Sequence, residues 1–309
     1  MAWGFPFIAM LAGADVVMPS KHLQPAALIE IIKKEKITLA NGVPTIWMGI
    51  LEELKRQPPQ EKLTLKEFMI GGSACPPYLI RRFDEDFGIG IMQGWGMTET
   101  SPVVTTSRLQ PLHQELSYED RIKVKAKQGI EMPGVEIRVV MEDGSIAPRD
   151  GKTVGEFEVR GHWIISGYYK MEGITSHSED GWFRTGDVGT IDEAGYMELT
   201  DRTKDLIKSG GEWISSVALE SFLMSHPHVA EAAVIAIPDP KWVERPLACI
   251  VFREGKTTSD REFDEFLLKR FVKYQLPKEY VCLKSIPKTG IGKFDKKKMR
   301  ILYAEGNLS

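Results

Sequence analysis

A few short segments of this chain hold the residues whose types could do chemistry. In Gln93-Gly94-Trp95-Gly96-Met97-Thr98-Glu99-Thr100-Ser101-Pro102, a large aromatic, a hydroxyl and a carboxylate stand side by side among glycines. Trp95 offers a flat face for a base, Thr98 a donor for a phosphate oxygen, and Glu99 a hard oxygen ligand for Mg²⁺. Glycines at the C-terminal end of a strand let backbone approach a ligand. The same residues also describe a plain Gly-rich turn. Gly88-x-Gly90 and Gly94-x-Gly96 lack the G-x-G-x-x-G spacing and following helix of a dinucleotide site. His226 and His228 have no partners at metal-ligand spacing and read as a surface turn.

The elements that must position these residues form a layered α/β pattern. Gln24–Lys34 and Thr45–Lys55 carry helix-period apolar residues. Asp15–Met18, Ile37–Ala40, Glu67–Ile70 and Gly88–Met92 read as short buried strands, and polar Glu115–Lys127 as a surface helix. After Gly134 the texture becomes β-rich, with strands expected at Val135–Val140, Gly155–Arg160, Val188–Ile191 and Tyr196–Leu199. The five polar residues Asp201–Asp205 suggest a boundary. Beyond it, Ser215–Met224, Val229–Ile237, Ala248–Phe252, Glu262–Val272, Tyr280–Leu283 and Lys296–Tyr303 make a compact α+β pattern large enough for its own core. The expected organisation is therefore a large α/β domain over 1–200, a hinge at 201–205 and a small α+β domain over 206–309.

With 42% hydrophobic and 27% charged residues, the 309-residue chain has the composition of an ordinary globular protein. A net charge of -3 gives no overall electrostatic reason to expect nucleic acid as a partner. Cys75, Cys249 and Cys282 lack C-x-x-C pairing and read as reduced cytosolic thiols, so the expected location is cytoplasmic. The apolar stretch Ala2–Ala12 falls short of a membrane span. It begins without cap or polar lead-in, as a chain does when it starts inside a domain.

Five segments in order resemble the adenylate-forming superfamily of acyl-CoA synthetases, firefly luciferase and peptide-synthetase adenylation domains. The Gly94–Pro102 stretch resembles that family's aromatic-G-x-T-E segment, and Gly71-Gly72-Ser73-Ala74-Cys75-Pro76 its adenine-pocket loop. Trp182-Phe183-Arg184-Thr185-Gly186-Asp187 resembles its T-G-D segment, and Asp201-Arg202-Thr203-Lys204-Asp205 with Leu206–Gly211 its hinge and following loop. Pro287-Lys288-Thr289-Gly290-Ile291-Gly292-Lys293 resembles its C-terminal lysine segment.

The resemblance implies a nucleotide site drawn from Gly72, Ser73, Ala74, Gly94, Trp95, Gly96, Thr98, Asp187 and Arg202. The chemistry of the residues agrees. Asp187 suits a ribose diol, though a turn-capping Asp is the plainer reading. Arg202 supplies a rigid fork of donors toward ribose or phosphate oxygens, and an exposed charged turn is the alternative that it shares with Lys204. Lys204 matches the pivot about which the family's small domain rotates. Lys293 is implied to bring positive charge to the carboxylate and α-phosphate oxygens, with Thr98 and Glu99 completing the catalytic set. Otherwise Lys293, Lys296, Lys297, Lys298 and Arg300 form a solvated basic helix start. Lys208, Gly210, Gly211 and Trp213 fall in the loop implied to shape a tunnel for the pantetheine arm of coenzyme A, with a core tryptophan an equally good reading of Trp213. Glu220 matches a frequent family position, whereas Ser216 stands where many members have proline.

Ala2–Pro6, Val43–Trp47 and Ser209–Ser216 are most similar to medium- and long-chain fatty acyl-CoA synthetases, in which an aromatic at the Trp3 position is implicated in gating the acyl tunnel. Core packing is the plainer reading of Trp3. The implied substrates are a fatty acid, ATP and coenzyme A, with Mg²⁺ as cofactor and AMP as product. A homodimer and peripheral membrane contact are further expectations. The family's phosphate loop has no counterpart in the sequence, so the chain alone is expected to adenylate poorly. Two alternatives stay open: an aryl- or other acyl-adenylating enzyme, and a non-catalytic remnant that binds AMP or acyl groups.

Overall fold

The computed structural model describes residues 4–171, 176–210, 212–290 and 293–308, without the side chain of Glu212. The chain divides into two compact units, Met1–Thr185 with Gly189–Leu199, and Gly186–Val188 with Thr200–Ser309.

The first unit begins with helix α1 (Phe5–Leu11) and then alternates helix and strand as α2 (Pro25–Lys34), β1 (Leu39–Gly42), α3 (Pro44–Arg56), β2 (Glu67–Ile70), α4 (Pro77–Phe87) and β3 (Gly90–Trp95). Proline opens α2, α3 and α4, where its missing N–H is an orphan in any case. Gly88 closes α4 in the left-handed conformation. β1, β2 and β3 pair in parallel, with α3 and α4 as the crossovers that parallel pairing requires. Phe68, Met69 and Ile70 on β2 are buried, and Trp47 stacks on Phe68 with ring centroids 3.6 Å apart.

Short strands β4 (Thr105–Thr106) and β5 (Ile130–Glu131) extend this sheet, with helix α5 (Tyr118–Ala126) between them in sequence. A second sheet runs in the order β6 (Val135–Val140), β7 (Gly155–Gly161), β8 (Phe183–Ile191) and β9 (Met197–Arg202). Val135, Ile137 and Val139 alternate inward on β6, and they form a core with Phe157, Val159, Phe183 and Met197.

The second unit is built on a long hairpin, after the short strands β10 (Ile207–Ser209) and β11 (Glu212–Ile214) and helix α6 (Ser216–Leu223). Strands β12 (Val229–Asp239) and β13 (Val243–Phe252) form the hairpin, followed by α7 (Asp260–Leu267), β14 (Glu279–Cys282) and α8 (Lys296–Ala304). β10 pairs antiparallel with β11 and β13, and β14 pairs in parallel with β13. Side-chain caps start α6, α7 and α8 of this unit: Ser215 on α6, Ser259 with Glu262 in a capping box on α7, and Asp295 on α8.

Three expectations need correction. Asp15–Met18 is not a strand; Val16, Val17 and Met18 are exposed, and an apolar run forms a strand only where a neighbour takes its backbone bonds. The strand read as Tyr196–Leu199 runs on as β9 to Arg202, so Asp201 of the polar boundary lies in a strand and is 2% exposed. Lys296 is not part of a solvated basic helix start, because its ammonium is buried against Glu220.

Candidate active site

In the first unit, both candidate loops leave the C-terminal ends of adjacent parallel strands, where open α/β sheets bind ligands. The loop after β2 carries Gly72, Ser73 and Ala74, with Ser73 exposed. It is pinned by Gln93, a residue that sequence reasoning passed over. The Gln93 carboxamide is 1% exposed; its Oε1 accepts from the Cys75 amide at 2.6 Å, and its Nε2 donates to the carbonyls of Ala126 and Lys127 at 2.7 and 3.0 Å. One side chain thus ties the Gly72–Ala74 loop to the end of α5.

After β3, Gly96 has no room for a side chain, because a Cβ would lie 1.9 Å from the Pro102 carbonyl oxygen. Thr100 is fully buried and closes this turn: its Oγ1 accepts from the Met97 amide at 2.9 Å and meets the Pro102 carbonyl oxygen at 2.9 Å. The turn presents Thr98 to solvent and leaves Glu99 half-buried. The hydroxyl of Tyr168 donates to Glu99 Oε1 at 3.0 Å. Burial, and then the Glu99 carboxylate, raises the Tyr168 pKa and keeps that donor protonated.

Trp95 departs from expectation. It is 6% exposed and packs in the hydrophobic cluster with its ring 5.9 Å from Phe157, so in this structure it is a core side chain and not an open platform for a base. Among the described residues no group of three or more His, Cys, Asp or Glu could hold a metal ion. A lone carboxylate such as Glu99 suits Mg²⁺ only in the manner typical of nucleotide sites, in which phosphates and water supply most ligands.

In the second unit, two predicted residues pair and a third feels the charge of both. Arg202 Nε lies 3.1 Å from Asp187 Oδ1, with Asp187 3% exposed and Arg202 reaching solvent. Lys293 shares their field. Burial lowers the pKa of its ammonium, the Arg202 charge lowers it further, and Asp187 opposes both. The Thr289 amide donates to the Lys293 carbonyl at 2.8 Å.

Arg202 is aimed by its neighbour. Asp201 Oδ2 accepts from the Ser216 amide at 2.7 Å and from the Ser216 hydroxyl, and Ser216 also accepts from Lys296 Nζ at 2.5 Å. Proline at position 216 would have no N–H for that contact, so the departure from the common pattern has a use here. Lys296 also pairs with Glu220 at 2.8 Å, and Glu220 Oε1 accepts from the Val234 amide at 2.8 Å.

Lys204 is exposed, beside Thr203, whose amide and hydroxyl donate to the Gly186 carbonyl at 2.9 and 3.1 Å. Lys208 Nζ stands 4.3 Å over the ring of Trp213, which is 37% exposed. Gly210 has φ +61°. Trp3 and Gly211 lie outside the described residues.

Residues 1–169 match the AMP-binding enzyme family and residues 218–293 match its C-terminal domain, so the chain belongs to the AMP-binding enzyme family. A long-chain-fatty-acid–CoA ligase of Thermus thermophilus is 48% identical over 98% of the chain and 56% of that protein. A medium-chain-fatty-acid–CoA ligase of Ectopseudomonas oleovorans is 38% identical over 98% of the chain and 55% of that protein. Among solved structures, ATP-bound MatB from Rhodopseudomonas palustris superposes with a TM-score of 0.78 at 28% identity, covering 92% of the chain and 54% of that structure. The chain spans about half the length of the curated relatives that it matches.

Proposed function

We propose that the chain is the nucleotide- and coenzyme-A-handling portion of a fatty acyl-CoA ligase. The observation that carries this reading is the pairing of Asp187 with Arg202 within the electrostatic reach of Lys293 in one unit, an acceptor and a donor fork for a ribose beside a cation for oxyanions. The 48% and 38% identities to fatty-acid ligases favour an aliphatic acid of medium or long chain.

In the first half-reaction, a carboxylate oxygen attacks the α-phosphorus of ATP and pyrophosphate leaves. Lys293 balances charge gathering on the carboxylate and α-phosphate oxygens, Thr98 donates to a phosphate oxygen, and Asp187 with Arg202 holds the ribose. Glu99 would help to hold a Mg²⁺ ion, which when bound would neutralise charge at the phosphates. In the second half-reaction, the coenzyme A thiol attacks the acyl-adenylate carbonyl and loses its proton, and AMP leaves. Lys204 serves as the pivot between the two, while Lys208, Gly210, Gly211 and Trp213 line the path of the pantetheine arm. Trp3 belongs to the acyl gate. Cytoplasmic location, supported by three unpaired cysteines, completes the reading, together with a homodimer and peripheral membrane contact.

The test supplies the native protein with ATP, coenzyme A and a panel of aliphatic and aromatic acids, and measures AMP and thioester. Thioesters from medium- or long-chain acids support the proposal. Turnover confined to aromatic acids would place the chain with aryl-CoA ligases, and AMP binding without thioester would make it a binding module.

A further inference from the structure

The turn joining β12 to β13 lies against the segment assigned to the pantetheine path. Asp239 Oδ1 accepts from the amides of Lys241 and Trp242, each at 3.0 Å, and Asp239 Oδ2 pairs with Lys278 at 2.8 Å. These contacts fix the turn at its base. Trp242 then meets the segment twice. Its carbonyl accepts from the Gly210 amide at 2.9 Å, and its ring fills the space beside Gly210, where a Cβ would come within 2.5 Å of ring carbon Cε3. Glu244 Oε2 accepts from the Lys208 amide at 2.9 Å.

Two unfavourable features are tolerated between these contacts. Val243, a β-branched residue paired with Ser209, is held at φ +72° while 70% exposed. The hydroxyl of Ser209 is buried and has no hydrogen-bond partner among the described residues. Strain and an orphaned polar group at paired positions persist only where the surroundings over-determine the geometry, and such places cluster at functional sites.

Resting on the function proposed above, we propose that Trp242 is a positioning residue for thioester formation. Its ring and carbonyl set the course of Ser209–Gly210, and Asp239 holds the turn that presents it. The substrate affected is the thiol-bearing pantetheine arm, because Lys208 and Gly210, on either side of Ser209, belong to the segment assigned above to its path.

The experiment compares W242A, W242F and D239N in the native protein by amide hydrogen exchange at Lys208 and Gly210 and by single-turnover acyl transfer from supplied acyl-adenylate to coenzyme A. W242A and D239N are expected to raise exchange at Gly210 by about tenfold or more, as loss of a local clamp does. They should also slow acyl transfer roughly tenfold more than adenylation, with W242F restoring both readouts. Unchanged exchange in W242A and D239N, or equal slowing of both half-reactions, would overturn the proposal. Absence of any acyl transfer by the unsubstituted protein would instead overturn the functional reading, and exchange alone would then decide whether Trp242 positions the segment.

Discussion

Lys296 Nζ lies 2.8 Å from Glu220 Oε1 in a setting where both side chains are nearly buried, at 13% and 10% exposure. This pair joins the first turn of α8, which directly follows the Lys293 loop, to α6, and through Ser216 it reaches Asp201 on β9. Removing one partner strands the other charge in a low-dielectric site. Lys296→Met is therefore expected to lower the unfolding free energy by about 3–5 kcal/mol, and replacing Lys296 and Glu220 together with apolar residues to cost much less. Denaturant unfolding of the single and double variants measures the difference.

The same pair has a signature at high pH. Burial alone would lower the Lys296 pKa, but the carboxylates of Glu220 and Asp201 carry it above the ordinary value of 10.5. A cation with a raised folded-state pKa contributes stability that is fully present below the unfolded value and is lost as pH rises through the folded one. The thermal stability of the unsubstituted protein should thus fall above pH 10.5, and the Glu220→Gln variant should lose this component of the alkaline profile.

Lys293→Ala should slow adenylation by about 10²-fold or more while sparing acyl transfer from supplied acyl-adenylate, because its charge is needed only where oxyanion charge develops. Its ammonium is depressed below 10.5, so adenylation should decline with rising pH earlier than an ordinary lysine would dictate. Arg202→Met removes a like charge and should move that inflection up, whereas Asp187→Asn removes an opposite charge and should move it down. Single-turnover pH profiles of the unsubstituted protein and of the Arg202 and Asp187 variants would check the order.

Gln93→Leu leaves the Cys75 amide and the carbonyls of Ala126 and Lys127 without their partner. A stability loss of about 2–4 kcal/mol is expected, together with a several-fold rise in KM for ATP as the Gly72–Ala74 loop loosens. Calorimetry and steady-state kinetics would measure the two effects separately.

At low pH, Asp239 gives a distinct signal. The Lys278 ammonium and two backbone amides hold its pKa down at about 2, against 3.8 ordinarily. A depressed carboxylate contributes stability present above its unfolded value and lost as pH falls through the folded one. Acid titrations followed by circular dichroism should show that loss between pH 3.8 and about 2 in the unsubstituted protein, and its absence in Asp239→Asn.

Much of the site was legible because its chemistry sits at element ends, where turn residues and charged groups announce themselves. Asp187, Arg202 and Lys293 could each be read as an exposed turn, and only their meeting in space separates function from solvation. Gln93 was silent because a buried carboxamide that bonds three backbone groups looks in sequence like any strand residue. Lys296 was hidden by Lys297 and Lys298, which are exposed; a run of like charges gives no sign of which member turns inward. The first half of β13 was missed for a related reason. Glu244, Arg245 and Pro246 read as loop, although they pair with Pro238, Ile237 and Ala236 of β12.

Consecutive residues of a strand face opposite sides, and β9 assigns the two sides different tasks at its end: Asp201 is buried against Ser216, and Arg202 reaches out to Asp187. Gain or loss of a single residue within Met197–Arg202 would exchange the two, placing a guanidinium inside and a carboxylate outside. Length, more than composition, is thus what this stretch of chain can least afford to vary, and descendants of this gene should tolerate substitutions there far more readily than insertions or deletions.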